Sequence, residues 1–226
     1  ADMMQIFMAA GSRWPAYPSI VGSGDNGCIL HYTRNDDVIE DGELVLIDAG
    51  CELDYYASDI TRTFPSNGRF SEPQRALYQL VLDAQYAAIE ATKPGNHWNQ
   101  PHEAAVKVLT AGLVELGLLS GEVDELIESL AYRQFYMHKT GHWLGMDVHD
   151  VGEYRVDGEW RTLAPGMVLT IEPGIYVAPD DESVDEKWRG IGIRIEDDVV
   201  VTQDGCDVLT KDVVKEIADI EALMSA

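Results

Sequence analysis

Residues 44–64, LVLIDAGCELDYYASDITRTF, contain two strand-like apolar runs separated by a short polar segment. Such a pattern predicts a β-hairpin. If Leu53 and Asp54 form a two-residue loop, Asp48 lies directly opposite Asp59 on the neighbouring strand. Directly opposed side chains lie about 4.5–5.5 Å apart at Cβ, and two carboxylates so close repel each other unless a cation lies between them. The spacing therefore predicts a cation between these two aspartates.

The segment that follows the hairpin is typical of helices. Ser71 with Gln74 resembles a capping box and starts an amphipathic pattern that stops at Lys93-Pro94-Gly95. A second helix is predicted at about 101–116 and a shorter one at about 122–134. His97 and His102, in the loop and at the start of the second helix, match no catalytic pattern and are expected at the surface.

Strands and loops are predicted after His138, in runs at 142–149, 168–177 and 190–202. In the last run, Arg194 and Glu196 alternate with isoleucines and therefore share one strand face, which predicts a polar cavity lining. No linker, repeat or low-complexity stretch divides the chain, so we predict a single α+β domain over residues 1–226.

Composition limits the classes of partner. The chain has 40 acidic and 16 basic residues, a formal charge of -24, which disfavours nucleic acid and anionic membranes. Apolar residues make up 46% of the chain without a run long enough to span a membrane, so a soluble globular protein is expected. Cys28, Cys51 and Cys206 form neither a disulfide framework nor a zinc motif, and the first residues contain no signal peptide; a cytoplasmic location is expected.

Four segments far apart in the sequence each place acids or histidines on or beside a predicted strand. They are Asp48 with Asp59, His142 with His149, Glu172, and Glu196. A single such residue is more often a solvated or structural group than a ligand, so their convergence in space is the point to test.

Five ordered motifs resemble the metal-dependent peptidases of the pita-bread fold, and among them the Xaa-Pro aminopeptidases. They are GSGDNGCILHY at 22–32, LIDAGCELDYYASDITRTFP at 46–65, HWLGMDVHDVG at 142–152, TIEPGIYV at 170–177 and RGIGIRIEDDVVV at 189–201. The resemblance covers nearly the whole chain. It implies a curved antiparallel sheet covered by helices, and hydrolysis of the bond between an amino-terminal residue and a following proline.

The same resemblance implies a site for two divalent metal ions. Asp48 would bind one metal, Asp59 and Glu196 would bridge both, and His142 and Glu172 would complete the other. The resemblance implies manganese, and an oxygen-rich ligand set also suits a hard six-coordinate ion better than a thiolate-rich zinc site does.

Further roles follow from the resemblance and from what peptide hydrolysis requires. Glu172 would relay the proton, His31 and His149 would contact the substrate carbonyl region, and His138 would lie towards the proline subsite. Arg194 and Tyr176 would orient the carboxylates. Cys28 and Cys51 are expected to be buried, inert thiols.

The chain departs from the family pattern in two ways. The amino-terminal domain of full-length aminopeptidase P, which helps to form a homo-oligomer and to close the site, is expected to be missing from this chain. Lys139 and Thr140 replace the small or apolar residues expected between His138 and His142. This difference affects the shape of the substrate pocket.

Three alternatives remain. A Xaa-Pro dipeptidase (prolidase) shares the ligand set but accepts nothing beyond the proline, and the motifs at 27–32 and 189–201 favour the aminopeptidase. Methionine aminopeptidase fits less well outside the ligands. A non-catalytic binding module of the same fold would be expected to lose ligands, whereas all five expected ligand residues are present.

Overall fold

The computed structural model describes residues 1–225. The helices are α1 Asp2–Ala9, α2 Glu72–Ala91, α3 Gln100–Glu115, α4 Val123–Glu128 and α5 Ile217–Met224. The strands are β1 Trp14–Pro15, β2 Ile20–Ser23, β3 Leu44–Asp48, β4 Cys51–Leu53, β5 Tyr56–Ala57, β6 Thr61–Pro65, β7 Arg155–Val156, β8 Glu159–Trp160, β9 Val168–Ile171, β10 Gly174–Tyr176, β11 Gly192–Arg194, β12 Asp197–Val201 and β13 Cys206–Val208.

The described strand pairs are antiparallel, as expected for the α+β class. Strand β3 lies between β2 and β6, β12 lies between β9 and β13, and β4 lies between β1 and β5. Two-stranded pairs join β10 with β11 and β7 with β8. Within residues 1–225, no helix is long and apolar enough to cross a membrane.

The hairpin is present, but its predicted register is wrong. The turn lies at Asp54 and Tyr55, which adopt φ of 51° and 65°, the left-handed pair that a type I′ turn requires. Asp48 therefore pairs with Thr61 and not with Asp59. Moving the turn by one residue shifts the register by two, which leaves Asp59 on the same face, one diagonal step from Asp48.

The helices cover the sheets through one large apolar core. Helix α2 begins as predicted: the Gln74 side chain accepts a hydrogen bond from the Ser71 backbone N–H at 2.9 Å. Helix α3 matches its predicted range within one residue at each end, whereas the third predicted helix stops at Glu128 and continues only as a short 3₁₀ turn, Ala131–Gln134. The core includes Leu77, Val81, Leu109, Leu113, Ile193 and Ile195.

The predicted strand at 142–149 is the second error. Only an isolated bridge from Trp143 to Leu169 forms there, and the rest is loop. The run at 168–177 splits into β9 and β10 around Pro173, whose ring removes a ladder donor. The irregular segment that follows His138 therefore lies along β9 without joining the sheet over its length.

Candidate metal centre

The two aspartates of the hairpin converge at the buried floor of a cavity of about 360 Å³. Asp48 ends β3 and is 8% exposed, and Asp59 precedes β6 and is 5% exposed. The backbone N–H of Asp59 donates to Asp198 Oδ2 at 3.1 Å, which anchors this short segment against β12. Both carboxylates contact the Tyr17 hydroxyl, which lies 2.5 Å from Asp48 Oδ1 and 2.5 Å from Asp59 Oδ1.

His142 reaches the same place from the opposite side of the cavity. Its Nε2 lies 3.3 Å from Asp59 Oδ2 and 3.5 Å from Glu172 Oε1, while its Nδ1 lies 2.9 Å from the Trp143 carbonyl oxygen. The carbonyl contact leaves Nε2 free to face the carboxylates. The loop can lie this close to β9 because residue 141 is glycine: a Cβ there would be 2.0 Å from the Thr170 carbonyl oxygen.

Glu172 and Glu196 come from the ends of two sheet segments. Glu172 follows β9, and its backbone N–H donates to the Thr140 carbonyl oxygen at 2.8 Å. Glu196 lies between β11 and β12, is 1% exposed, and accepts a hydrogen bond from Thr61 Oγ1 at 2.5 Å. As the alternation predicted, Arg194 lines the cavity with Glu196, while the neighbouring isoleucines face the core.

Within residues 1–225, Arg194 is the ion-pair partner of Asp48. Its Nη2 donates to Asp48 Oδ2 at 2.6 Å, and its Nη1 donates to the Tyr176 hydroxyl at 3.0 Å. Tyr176 also lies 2.9 Å from His138 Nε2. Arg194 and Tyr176 thus connect Asp48 to His138, the contacts expected of residues that orient carboxylates and histidines.

The cavity contains more carboxylates than the nearby cationic side chains can neutralise. Burial, followed by repulsion from neighbouring carboxylates, holds the pKa of Glu196 well above its ordinary value. Burial raises the pKa of Glu172 to about 7 despite the opposing charges of His142 and Arg194. Burial also raises the pKa of Asp48, against the pull of Arg194. The chain holds these acids together at an electrostatic cost.

Histidine pKa values shift in both directions. Burial disfavours charge on His142, but its hydrogen bond to Asp59 and the charge of Glu172 outweigh burial and raise its pKa to about 9. Burial, helped by Arg194, lowers the pKa of His138 to about 3. Burial and the neighbouring His142 lower the pKa of His149, whose ring centroid is 4.3 Å from that of His142.

The donors fit divalent metal ions. One ligand atom each from Asp59, His142 and Glu196 lies within 4.8 Å of the others. Asp48 and Glu172 line the same cavity. Four carboxylates carry about four negative charges, which two divalent cations would match, and carboxylate oxygens are ligands that hard cations prefer.

Nine of the ten predicted site residues line this one cavity: Asp48, Asp59, His142, Glu172, Glu196, His31, His138, His149 and Arg194. The tenth, Tyr176, contacts two of them through its hydroxyl. Of the residues set aside, Cys28 is partly exposed, with a thiol pKa that burial raises to about 12, and Cys28, Cys51 and Cys206 form no disulfide.

Two polar groups near the site were missed or misjudged from sequence. Tyr17 lies in a loop with no motif, so nothing in its neighbourhood predicted the contact with both aspartates. His102 is 9% exposed and not a surface residue: its Nδ1 lies 2.8 Å from Thr140 Oγ1, and burial lowers its pKa to about 4. Helix α3 turns it inwards, towards the loop between His138 and His142. His97 is partly buried.

Comparisons with known proteins agree with this architecture. The profile of metallopeptidase family M24 matches residues 1–203. The Xaa-Pro aminopeptidase of Haemophilus influenzae is 56% identical over 225 residues, which are 100% of this chain and 52% of that protein. The structure of aminopeptidase PepP from Pseudomonas aeruginosa has a TM-score of 0.98 at 65% identity, covering 99% of this chain and 51% of that one.

A structure of Escherichia coli aminopeptidase P with the inhibitor Pro-Leu has a TM-score of 0.95 at 54% identity, covering 98% of this chain and 50% of that one. The chain thus spans about half the length of the curated relatives it matches. The resemblance drawn from the five sequence motifs is confirmed. Since the family profile extends over most of its length, the chain belongs to metallopeptidase family M24.

Proposed function

We propose that this chain is the catalytic part of a Xaa-Pro aminopeptidase of the pita-bread fold, which removes an amino-terminal residue from peptides whose second residue is proline. The observation that carries the proposal is the convergence of Asp48, Asp59, His142, Glu172 and Glu196 around one cavity. The Xaa-Pro aminopeptidases among its relatives support the choice of substrate.

The five converging residues would hold two divalent ions, with manganese as the proposed metal. Asp48, Asp59, His142, Glu172 and Glu196 would together supply the ligands of both ions. When bound, the metals would supply electrophilic activation of the scissile carbonyl and of the attacking water. The fit rests on the unbalanced carboxylates and on the donor atoms that lie within 4.8 Å of one another.

The protein's own groups supply the proton transfers. Glu172 would take a proton from the attacking water and return it to the leaving nitrogen. His138 stays neutral, because its pKa is about 3, and its Nε2 contacts the Tyr176 hydroxyl. A neutral ring beside a tyrosine suits an uncharged proline ring better than an imidazolium would.

His31 and His149 complete the cavity wall on the exposed side, where they would contact the substrate carbonyl. The amino group of the peptide would be drawn to the acidic floor at Asp48 and Asp59. We further propose that the full-length protein is a cytoplasmic homo-oligomer with an additional amino-terminal domain. Of these points, the greater length of the relatives supports only the presence of further chain.

Metal analysis and hydrolysis of matched peptides test the function. The full-length protein should bind two manganese ions per chain and cleave Ala-Pro-Ala but not Ala-Ala-Ala. Asp59→Asn should lose metal and activity together, whereas the control Asp204→Asn, at an exposed position outside the cavity, should lose neither. A protein that binds no divalent ion and stays inactive with added manganese would support a binding module instead. Cleavage of Ala-Pro alone would favour the dipeptidase.

A further inference from the structure

Besides the buried Arg194, two exposed basic residues lie at or next to the lining of the cavity. Lys139 lines the cavity, and Arg155 directly follows Tyr154, which lines it too. We call Lys139 and Arg155 the basic rim. The chain carries only 16 basic against 40 acidic residues, so a pair of cations at the mouth of the candidate site is a local reversal of charge.

Both cations of the basic rim lie near the indole ring of Trp160. The guanidinium carbon of Arg155 lies 3.8 Å from the centroid of the Trp160 ring, and Lys139 Nζ lies 5.9 Å from it. Both distances are within the roughly 6 Å over which a cation is attracted to an aromatic face. Arg155 Nη1 also donates to the Gly158 carbonyl oxygen at 2.9 Å, which fixes the guanidinium on the β7–β8 hairpin.

Neither charge of the basic rim forms an ion pair. Among the ion pairs of residues 1–225, none involves Lys139 or Arg155, although Arg161, directly after the hairpin, pairs with Glu153 at 3.9 Å. Burial, then the nearby Arg133 and Arg155, lower the pKa of Lys139, against the smaller opposing effect of Glu103. Like charges held together without a counterion are typical of a surface that receives an anion.

The direction of the substrate places that anion beyond the proline. In the proposed function the scissile carbonyl belongs to the first residue and lies at the metal-binding carboxylates, so the rest of the peptide must run outwards to the opening of the cavity. Lys139 is one residue beyond His138, on the cavity wall at this opening. Since extended residues advance about 3.4 Å each, the third residue of a substrate lies roughly 7 Å from the first, on the side of the opening.

We propose that the basic rim binds a carboxylate carried by the third residue of the substrate, and so sets the preference for the position after proline. The proposal rests on the proposed function. The carboxylate has two sources, the carboxyl terminus of a tripeptide or an acidic side chain in a longer peptide.

The test compares matched substrates with the full-length, manganese-loaded protein. One pair is Ala-Pro-Ala and its carboxyamide, and the other is Ala-Pro-Glu-Ala-amide and Ala-Pro-Gln-Ala-amide. The anionic member should have a kcat/KM about fivefold higher, the effect expected of exposed charge pairs. Lys139→Gln and Arg155→Gln should each reduce that ratio, and the double variant should bring it to one. The control Lys187→Gln removes a lysine that lies over Trp188 outside the cavity, and should leave the ratio unchanged.

The outcomes separate the two proposals. A ratio of one in the unaltered protein, or a ratio that survives the double substitution, overturns the role of the basic rim. A preference in only one substrate pair supports the role and identifies the source of the carboxylate. If no Xaa-Pro bond is cleaved, the proposed function fails, and calorimetric binding to the same variants then tests the rim independently, with Pro-Ala against its carboxyamide and Pro-Glu-amide against Pro-Gln-amide as the two pairs. Equal affinities would overturn it.

Discussion

Replacing Arg194 with methionine should destabilise the metal-free protein by about 3–5 kcal/mol, and the manganese-loaded protein by much less. Arg194 is 3% exposed, and its Nη2 lies 2.6 Å from Asp48 Oδ2. Methionine is of similar length but uncharged, so it leaves the 8% exposed Asp48 carboxylate without its cation. Removing one partner of a buried ion pair costs this much because the remaining charge stays desolvated. A metal bound by Asp48 would supply the missing positive charge.

The assay is urea unfolding of the full-length protein and of Arg194→Met, each measured with a chelator and with excess manganese. The stabilisation by manganese should be larger in the variant, by at least about 2 kcal/mol. The matched control is Arg62→Met, since Arg62 is also buried and its Nη2 lies 2.7 Å from Asp197 Oδ1, outside the cavity. This control should lose the same stability with and without manganese.

Two results would refute this reasoning. An equal loss for Arg194→Met with and without manganese would mean that Asp48 is not a metal ligand. No loss in the metal-free protein would mean that the Asp48 carboxylate does not depend on Arg194 for its charge balance.

Three further predictions follow from the same geometry. Tyr17→Phe removes the hydroxyl shared by Asp48 and Asp59 and should weaken manganese binding about tenfold in calorimetry, whereas Tyr56→Phe should not. His102→Gln should make the free energy of unfolding less sensitive to acid. Between about pH 6.5 and 4 the unfolded chain protonates His102 while the folded protein keeps it neutral, so the unaltered protein loses up to about 3 kcal/mol that the variant does not lose. Parallel curves of the free energy of unfolding against pH would contradict the prediction. Manganese at 100 times its dissociation constant should stabilise the unaltered protein in urea unfolding by about 2.7 kcal/mol for each ion bound, and no shift would argue against a folded-state metal site.

Several helices and strands could be predicted from the sequence because their signals lie in residues that are close together along the chain. The capping pair Ser71 and Gln74 marks the start of α2 because both partners lie within one helical turn. The isoleucines around Arg194 reveal the buried face of their segment because side chains alternate along a strand. The motif resemblance, which depends on the order of residues and not on their contacts, supplied the other candidate ligands beyond the Asp48 and Asp59 pair.

Other features were beyond local reasoning. The turn at Asp54 and Tyr55 requires two residues with positive φ, a choice that sequence propensity does not make for tyrosine, so the predicted register was wrong by two. The burial of His102 depends on how α3 packs against the loop that follows His138.

Residue types, strand alternation and helix signals in this chain are properties of neighbours along the backbone, and these could be predicted without any coordinates. The site itself depends on long-range packing. Arg194 meets Asp48 across 146 residues, and Thr61 meets Glu196 across 135. Tyr17 meets both hairpin aspartates from a loop without a motif. Such contacts form only when separate sheets pack on a common core. Packing then buries these polar groups together, and each buried group must find its hydrogen-bond partner among the others.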